Sequence, residues 1–127
     1  MKTAAANEMR DAIRLRADSL KTMRLIQDPL ERDAEHQRFI SYTGKYSIAR
    51  ERLFSRGMDE RETALNHQLQ QLTRASQPHI DDASNLLMSE AGEEETNIAM
   101  EQVFKLQGLK LGRLGELVQL EQQKTQE

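Results

Sequence analysis

The sequence predicts an all-α fold, an antiparallel up-down-up-down four-helix bundle. Apolar residues recur at helical spacing in four long runs, cap and turn signals separate those runs, and no stretch sustains the two-residue alternation of a strand. The first break is Asp28-Pro29-Leu30-Glu31: a capping carboxylate, a proline at the first helical position and an early glutamate. The second is Gly57, suited to closing a helix, followed by Met58-Asp59-Glu60-Arg61-Glu62. A cap side chain satisfies a backbone donor that has no helical partner. Proline loses only a donor already free, and early carboxylates favour the positive helix end. These breaks leave helices of roughly 25 to 35 residues, long against a globular average of about 10 to 14.

At about 100° per residue, the first helix lines up Met9, Ala12, Ile13, Arg16, Leu20 and Met23, with Leu15, Ser19 and Ile26 as a narrower flank. The second, from about Pro29 to Arg56, aligns Phe39, Tyr42, Thr43, Tyr46, Arg50, Leu53 and Phe54. The third starts near Asp59 and carries Leu65, Leu69, Leu72, Ser76, His79, Ile80, Ala83, Leu86 and Leu87. Its stripe keeps phase across Pro78, which predicts one helix kinked at that proline. Ala91-Gly92 ends it, and Glu93 to Glu95 open a fourth helix bearing Val103, Phe104, Leu106, Leu111, Leu114, Leu117, Val118 and Leu120. Short connections make sequential helices antiparallel neighbours, and an even number brings both chain ends to one pole.

Composition narrows the function. The 127 residues fit one domain with a real core, and 31% charged against 4% aromatic residues suits narrow apolar stripes with broad solvated faces. Net charge is -3 with the signs interspersed, so nucleic acid is not an expected partner. Absence of cysteine removes disulfide and thiolate chemistry. There is no signal peptide and no apolar run near the roughly 18 residues of a spanning helix. No nucleophile elbow, phosphate loop, dinucleotide fingerprint or His-Glu-x-x-His is present, so no catalytic residue and no enzyme is expected. His36, His67 and His79 lack metal-ligand spacing, and there is no Glu-x-x-His pair of the di-iron type, so neither metal nor cofactor is expected. Glu93-Glu94-Glu95 reads as a solvated first turn.

The run Asp28 to Glu35 resembles the first turn-around of the four-helix-bundle sensor domains of bacterial transmembrane receptors. Phe39, Tyr46 and Ala49-Arg50-Glu51-Arg52-Leu53 look like that family's second helix, Glu60 to Glu62 like its third-helix start and Leu114 to Leu120 like its exit helix. The resemblance implies a periplasmic or extracellular domain cut from a longer inner-membrane protein, with membrane spans flanking residues 1–127. It also implies a dimer in the receptor and a cytoplasmic output module of diguanylate cyclase, phosphodiesterase or chemotaxis type. It transfers no particular ligand. A soluble cytosolic helical interaction or adaptor protein is the alternative.

Arg16 and Arg50 each sit at the centre of an apolar stripe, where an unpaired charge is costly. Two readings follow for each: a paired or snorkelling structural arginine, or a guanidinium that recognises carboxylate or phosphate. Counting residues from the turns places Arg16 level with Tyr42 and Thr43 and near Ser76 to His79. The candidate ligand-binding set is therefore Arg16, Tyr42, Thr43 and His79, for a small anion. Gly108, Gly112 and Gly115 share one face of the fourth helix. That face reads as a close-approach dimer surface, a softened output helix, or tolerated surface glycine. A weak homodimer through it, or through the Leu15 flank, is the expected assembly.

Overall fold

The computed structural model describes residues 2–89 and 92–126. It is an all-α up-down bundle of four helices: α1 (Lys2–Leu25), α2 (Pro29–Phe54), α3 (Glu60–Met88) and α4 (Glu93–Gln126). Asp28 caps α2, its Oδ1 accepting from Leu30 N at 3.0 Å, with Pro29 in the first turn. Asp59 caps α3 through a reciprocal box: Glu62 N donates to Asp59 Oδ1 at 2.8 Å, and Asp59 N donates to Glu62 Oε1 at 3.0 Å. Gly57 takes φ +101°, a left-handed conformation that admits glycine readily, and its N–H closes on Phe54 O at 3.1 Å. This tight closure ends α2 at Phe54, two residues before the expected Arg56. Of the Ala91-Gly92 break, Ala91 lies outside the described residues; Gly92 O accepts from Thr96 N at 3.1 Å at the start of α4.

α3 runs unbroken through Pro78, so the expected kink is not shown. Pro78 and Arg74, whose carbonyl the proline leaves without a donor, both lie on the solvent side. Water can satisfy that carbonyl without the helix opening.

α1 packs along α2, α3 packs along α4, and α1 and α4 hold the two hairpins together. α2 and α3 meet only sparsely, so one side of the bundle is open. The buried residues form two apolar clusters. Near the chain ends, Met9, Ile13, Leu53, Leu69, Leu114 and Leu117 interlock. At the far pole, Leu20, Met23, Phe39, Ile80, Met100 and Val103 do so. Between them lies a polar belt. Arg16 falls between Ile13 and Leu20 on α1, Ser76 between Leu69 and Ile80 on α3, and Gln107 and Lys110 between Val103 and Leu114 on α4; all four are buried.

Candidate functional site

The belt opens to solvent where α2 and α3 part. A groove of about 720 Å³ runs there, with Arg16 of α1 at its floor. Phe39 and Ile40 of α2 face Ile80 of α3 across it, and Thr43 and Gly44 line the α2 side. His36 Nε2 and Ser84 Oγ, 2.8 Å apart, bridge α2 to α3 along its length. On the α3 rim, Gln77 Nε2 donates to Asp81 Oδ1 at 2.9 Å.

Arg16 is 5% exposed. Its Nη1 donates to Thr43 Oγ1 at a long 3.4 Å, and the guanidinium carbon lies 5.9 Å from the Phe39 ring centroid. Its Nε is buried with no hydrogen-bond partner. No carboxylate among the described residues pairs with it. Burial therefore lowers its pKa, opposed in part by Tyr46. A buried guanidinium with idle donors, at the floor of an open groove, is unsatisfied chemistry that an anion would complete.

Behind Arg16 the belt is also cationic. Lys110 is 2% exposed, with its ammonium 4.2 Å from the Tyr46 ring centroid. Burial first, and then the charges of Arg16 and Arg50, bring its pKa down to about 7. Burial pushes Tyr46 up to about 12, against the pull of Arg50 and Arg16. Neither amide atom of Gln107 has a hydrogen-bond partner. Arg50, the other candidate cation, is half-buried and donates from Nε to Asn66 Oδ1 at 3.0 Å, a structural tie between α2 and α3.

The groove brings Arg16 and Thr43 together and leaves Tyr42 and His79 out. Tyr42 is half-buried beneath Lys45, whose ammonium is 5.3 Å from its ring centroid. His79 lies on the opposite flank of α3, in a shallow depression with Ile98 and Gln102 of α4. Because α3 packs mainly on α4, its apolar stripe turns that way, and the residues facing α2 are Gln77, Ile80, Asp81 and Ser84. His36 takes the place expected for His79. Helical phase puts it at the edge of the α2 stripe with Thr43 and Phe54, one turn before Phe39, and the His36 and Phe39 rings stack at 6.2 Å.

A second polar constellation closes the pole where Thr3 Oγ1 and Thr125 Oγ1 lie 3.5 Å apart. Glu62 accepts from Lys2 Nζ at 3.0 Å and pairs with Lys124 Nζ at 3.1 Å, while Lys124 also pairs with Asp59. Glu121 stands beside them, 3.6 Å from Lys124 Nζ. Burial opposes ionisation of Glu62, but hydrogen bonds from Glu121, the Asp59 backbone, Lys2 and Lys124 outweigh it and hold its pKa near 2. Burial, the hydrogen bond to Glu62 and its negative charge bring Glu121 up to about 7. Holding Glu121 protonated while Glu62 is ionised relieves the repulsion between the two carboxyls, and the clasp joins the starts of α1 and α3 to the end of α4.

Among the described residues, no group of three or more His, Asp and Glu side chains is placed to hold a metal ion. None of the described helices is long and apolar enough to cross a membrane. Comparison with protein-family models, with curated proteins and with solved structures finds no match to this chain.

Proposed function

We propose that this bundle is the extracytoplasmic sensor domain of a bacterial transmembrane receptor, and that it reads a small anion at Arg16 in the α2–α3 groove. One observation carries the reading: a buried guanidinium lines an open groove, with its Nε unpartnered and no carboxylate among the described residues paired with it. A structural arginine would be paired or snorkelled to solvent.

The relay half of the proposal rests on α4. It carries Lys110 and Gln107 in the belt and then runs to the polar clasp, about 21 Å of helix from Lys110 to Lys124. An anion that neutralises the belt changes the charge beside α4, and a continuous rod conveys a shift of that helix to the pole where Thr3 and Thr125 meet. In this proposal membrane spans flank the domain, and an output module in the cytoplasm follows.

The experiment is a thermal-shift panel of organic and inorganic anions on the wild-type chain and on Arg16→Met. At least one anion should raise the wild-type melting temperature and leave that of Arg16→Met unchanged, because ligand binding to the folded state alone stabilises it by mass action. No shift with any anion, or a shift that survives Arg16→Met, would end the groove reading.

A further inference from the structure

We propose that the groove takes a small monocarboxylate with an apolar body, an aryl or branched-alkyl acid, and discriminates against free phosphate and sulfate. This deepens the sensor reading and rests on the anion site at Arg16.

Charge comes first. The floor offers one guanidinium and, beside it, the Thr43 hydroxyl. A monocarboxylate matches that pair: its two oxygens can take a guanidinium N–H and the Thr43 hydroxyl, and its single charge neutralises Arg16. The rim adds repulsion, since Asp81 lies on α3 at the mouth, held by Gln77. A second negative charge would approach that carboxylate.

Shape and polarity decide the rest. Beyond the guanidinium the apolar lining is Phe39 at 6% exposure, Ile80 at 4% and Ile40 at 49%, among the polar His36, Gln77, Ser84 and Asn85. Ile40 is left wet beside the buried Phe39, and an apolar ligand body would cover it. The groove of about 720 Å³ is far larger than an inorganic oxyanion and lies within the range of small-ligand sites, about 300 to 1,000 Å³. Acetate would satisfy Arg16 but leave Ile40 in water. An aryl or branched-alkyl chain would cover it, and burial of apolar area favours that.

The test uses four probes on the whole chain: benzoate, 3-methylbutanoate, acetate and inorganic phosphate, by isothermal titration with thermal shift alongside. Benzoate and 3-methylbutanoate should bind at least about tenfold more tightly than acetate, and phosphate should give no shift. Arg16→Met should abolish binding of both apolar acids. Ile40→Ser, at an exposed position that folding tolerates, should weaken benzoate severalfold and leave acetate unchanged. Asp81→Asn should bring phosphate closer to benzoate. If acetate or phosphate binds through Arg16 as tightly as benzoate, the ligand class is wrong and the anion reading stands. If the acids bind equally to Arg16→Met, or if none of the four probes binds, the class and the anion site fall together.

Discussion

Lys110 of α4 points its ammonium at the face of Tyr46 of α2, 4.2 Å from the ring centroid, in the same buried belt that holds Arg16. Two buried cations in one layer, with an aromatic face and no carboxylate among the described residues paired with them, give the middle of this bundle a positive charge that the described side chains do not cancel. The cost is borne by two apolar clusters above and below.

That cost has a pH signature. The Lys110 pKa is about 7 in the folded chain against an ordinary 10.5. Between those values the unfolded chain holds a proton that the folded chain lacks, so this residue makes stability rise with pH from about 7 to 10.5. Below pH 7 the lysine is charged in both states and the full penalty is present. Lys110→Met should therefore be more stable than wild type by about 1 to 3 kcal/mol at pH 6. The advantage should shrink steadily above pH 7. Urea melts at several pH values check this; an equal or lower stability at pH 6 would mean that Lys110 is satisfied in a way the geometry does not provide.

The clasp has the opposite slope in its own window. The Glu121 pKa is raised to about 7 from 4.5, so the folded chain retains a proton that the unfolded chain has lost, and stability falls as pH rises from about 4.5 to 7. The Glu62 pKa is depressed to about 2, so its contribution is present above 4.5 and is lost as pH falls toward 2. Glu121→Gln keeps a hydrogen-bond donor for Glu62 without the titrating proton. It should remove the fall between pH 4.5 and 7 and leave the variant more stable than wild type at pH 8. A constant difference between the two proteins across that window would contradict the raised Glu121 pKa.

Core packing sets the scale for other substitutions. Leu69→Ala and Leu117→Ala remove fully buried side chains and should each cost about 2 to 5 kcal/mol. Leu72, expected on the same stripe, is half-buried and should cost less than about 2 kcal/mol. A methyl added at Gly112 meets nothing within 4 Å, so Gly112→Ala should gain up to about 1 kcal/mol in helix propensity. Denaturant melts give all four values.

The four helices, their caps and the place of Arg16 were legible because each has a local cause. Asp28 and Asp59 cap through their own side chains, and Arg16 stands between Ile13 and Leu20 on a strongly patterned stripe. The rest of the belt was not. Gln107, Lys110 and Glu121 are polar, and an apolar count along α4 passes over them. Yet Met100, Val103, Gln107, Lys110, Leu114, Leu117 and Glu121 alternate by three and four residues, the seam of a packed helix, and all are buried. That spacing was the available signal. His36 shares that spacing on α2 with Phe39, Thr43 and Tyr46, whereas the turning away of His79 had no such signal, because it depends on α3 leaning toward α4, a property of the assembled bundle.

Self-association follows the proposed receptor pairing. Leu15 and Ile48 leave apolar surface beside a cleft between α1 and α2, and Gly108 and Gly112 leave an open face on α4. Sedimentation equilibrium at high concentration should show a weak dimer. Leu15→Glu should abolish it if the α1–α2 flank is the contact, and Gly112→Leu if α4 is. A monomer at every concentration would exclude pairing by this chain alone.

The central claim, an anion bound at Arg16, is tested most directly by the arginine Nε–Hε signals in a nitrogen–proton correlation spectrum during a benzoate titration. Arg16 Nε is buried and unpartnered, whereas Arg50 Nε already donates to Asn66. The Arg16 signal, assigned by its loss in Arg16→Met, should move saturably as the guanidinium gains a carboxylate, while the Arg50 signal stays in place. A fixed Arg16 signal throughout a titration that shifts other resonances would place the acid elsewhere and contradict the account.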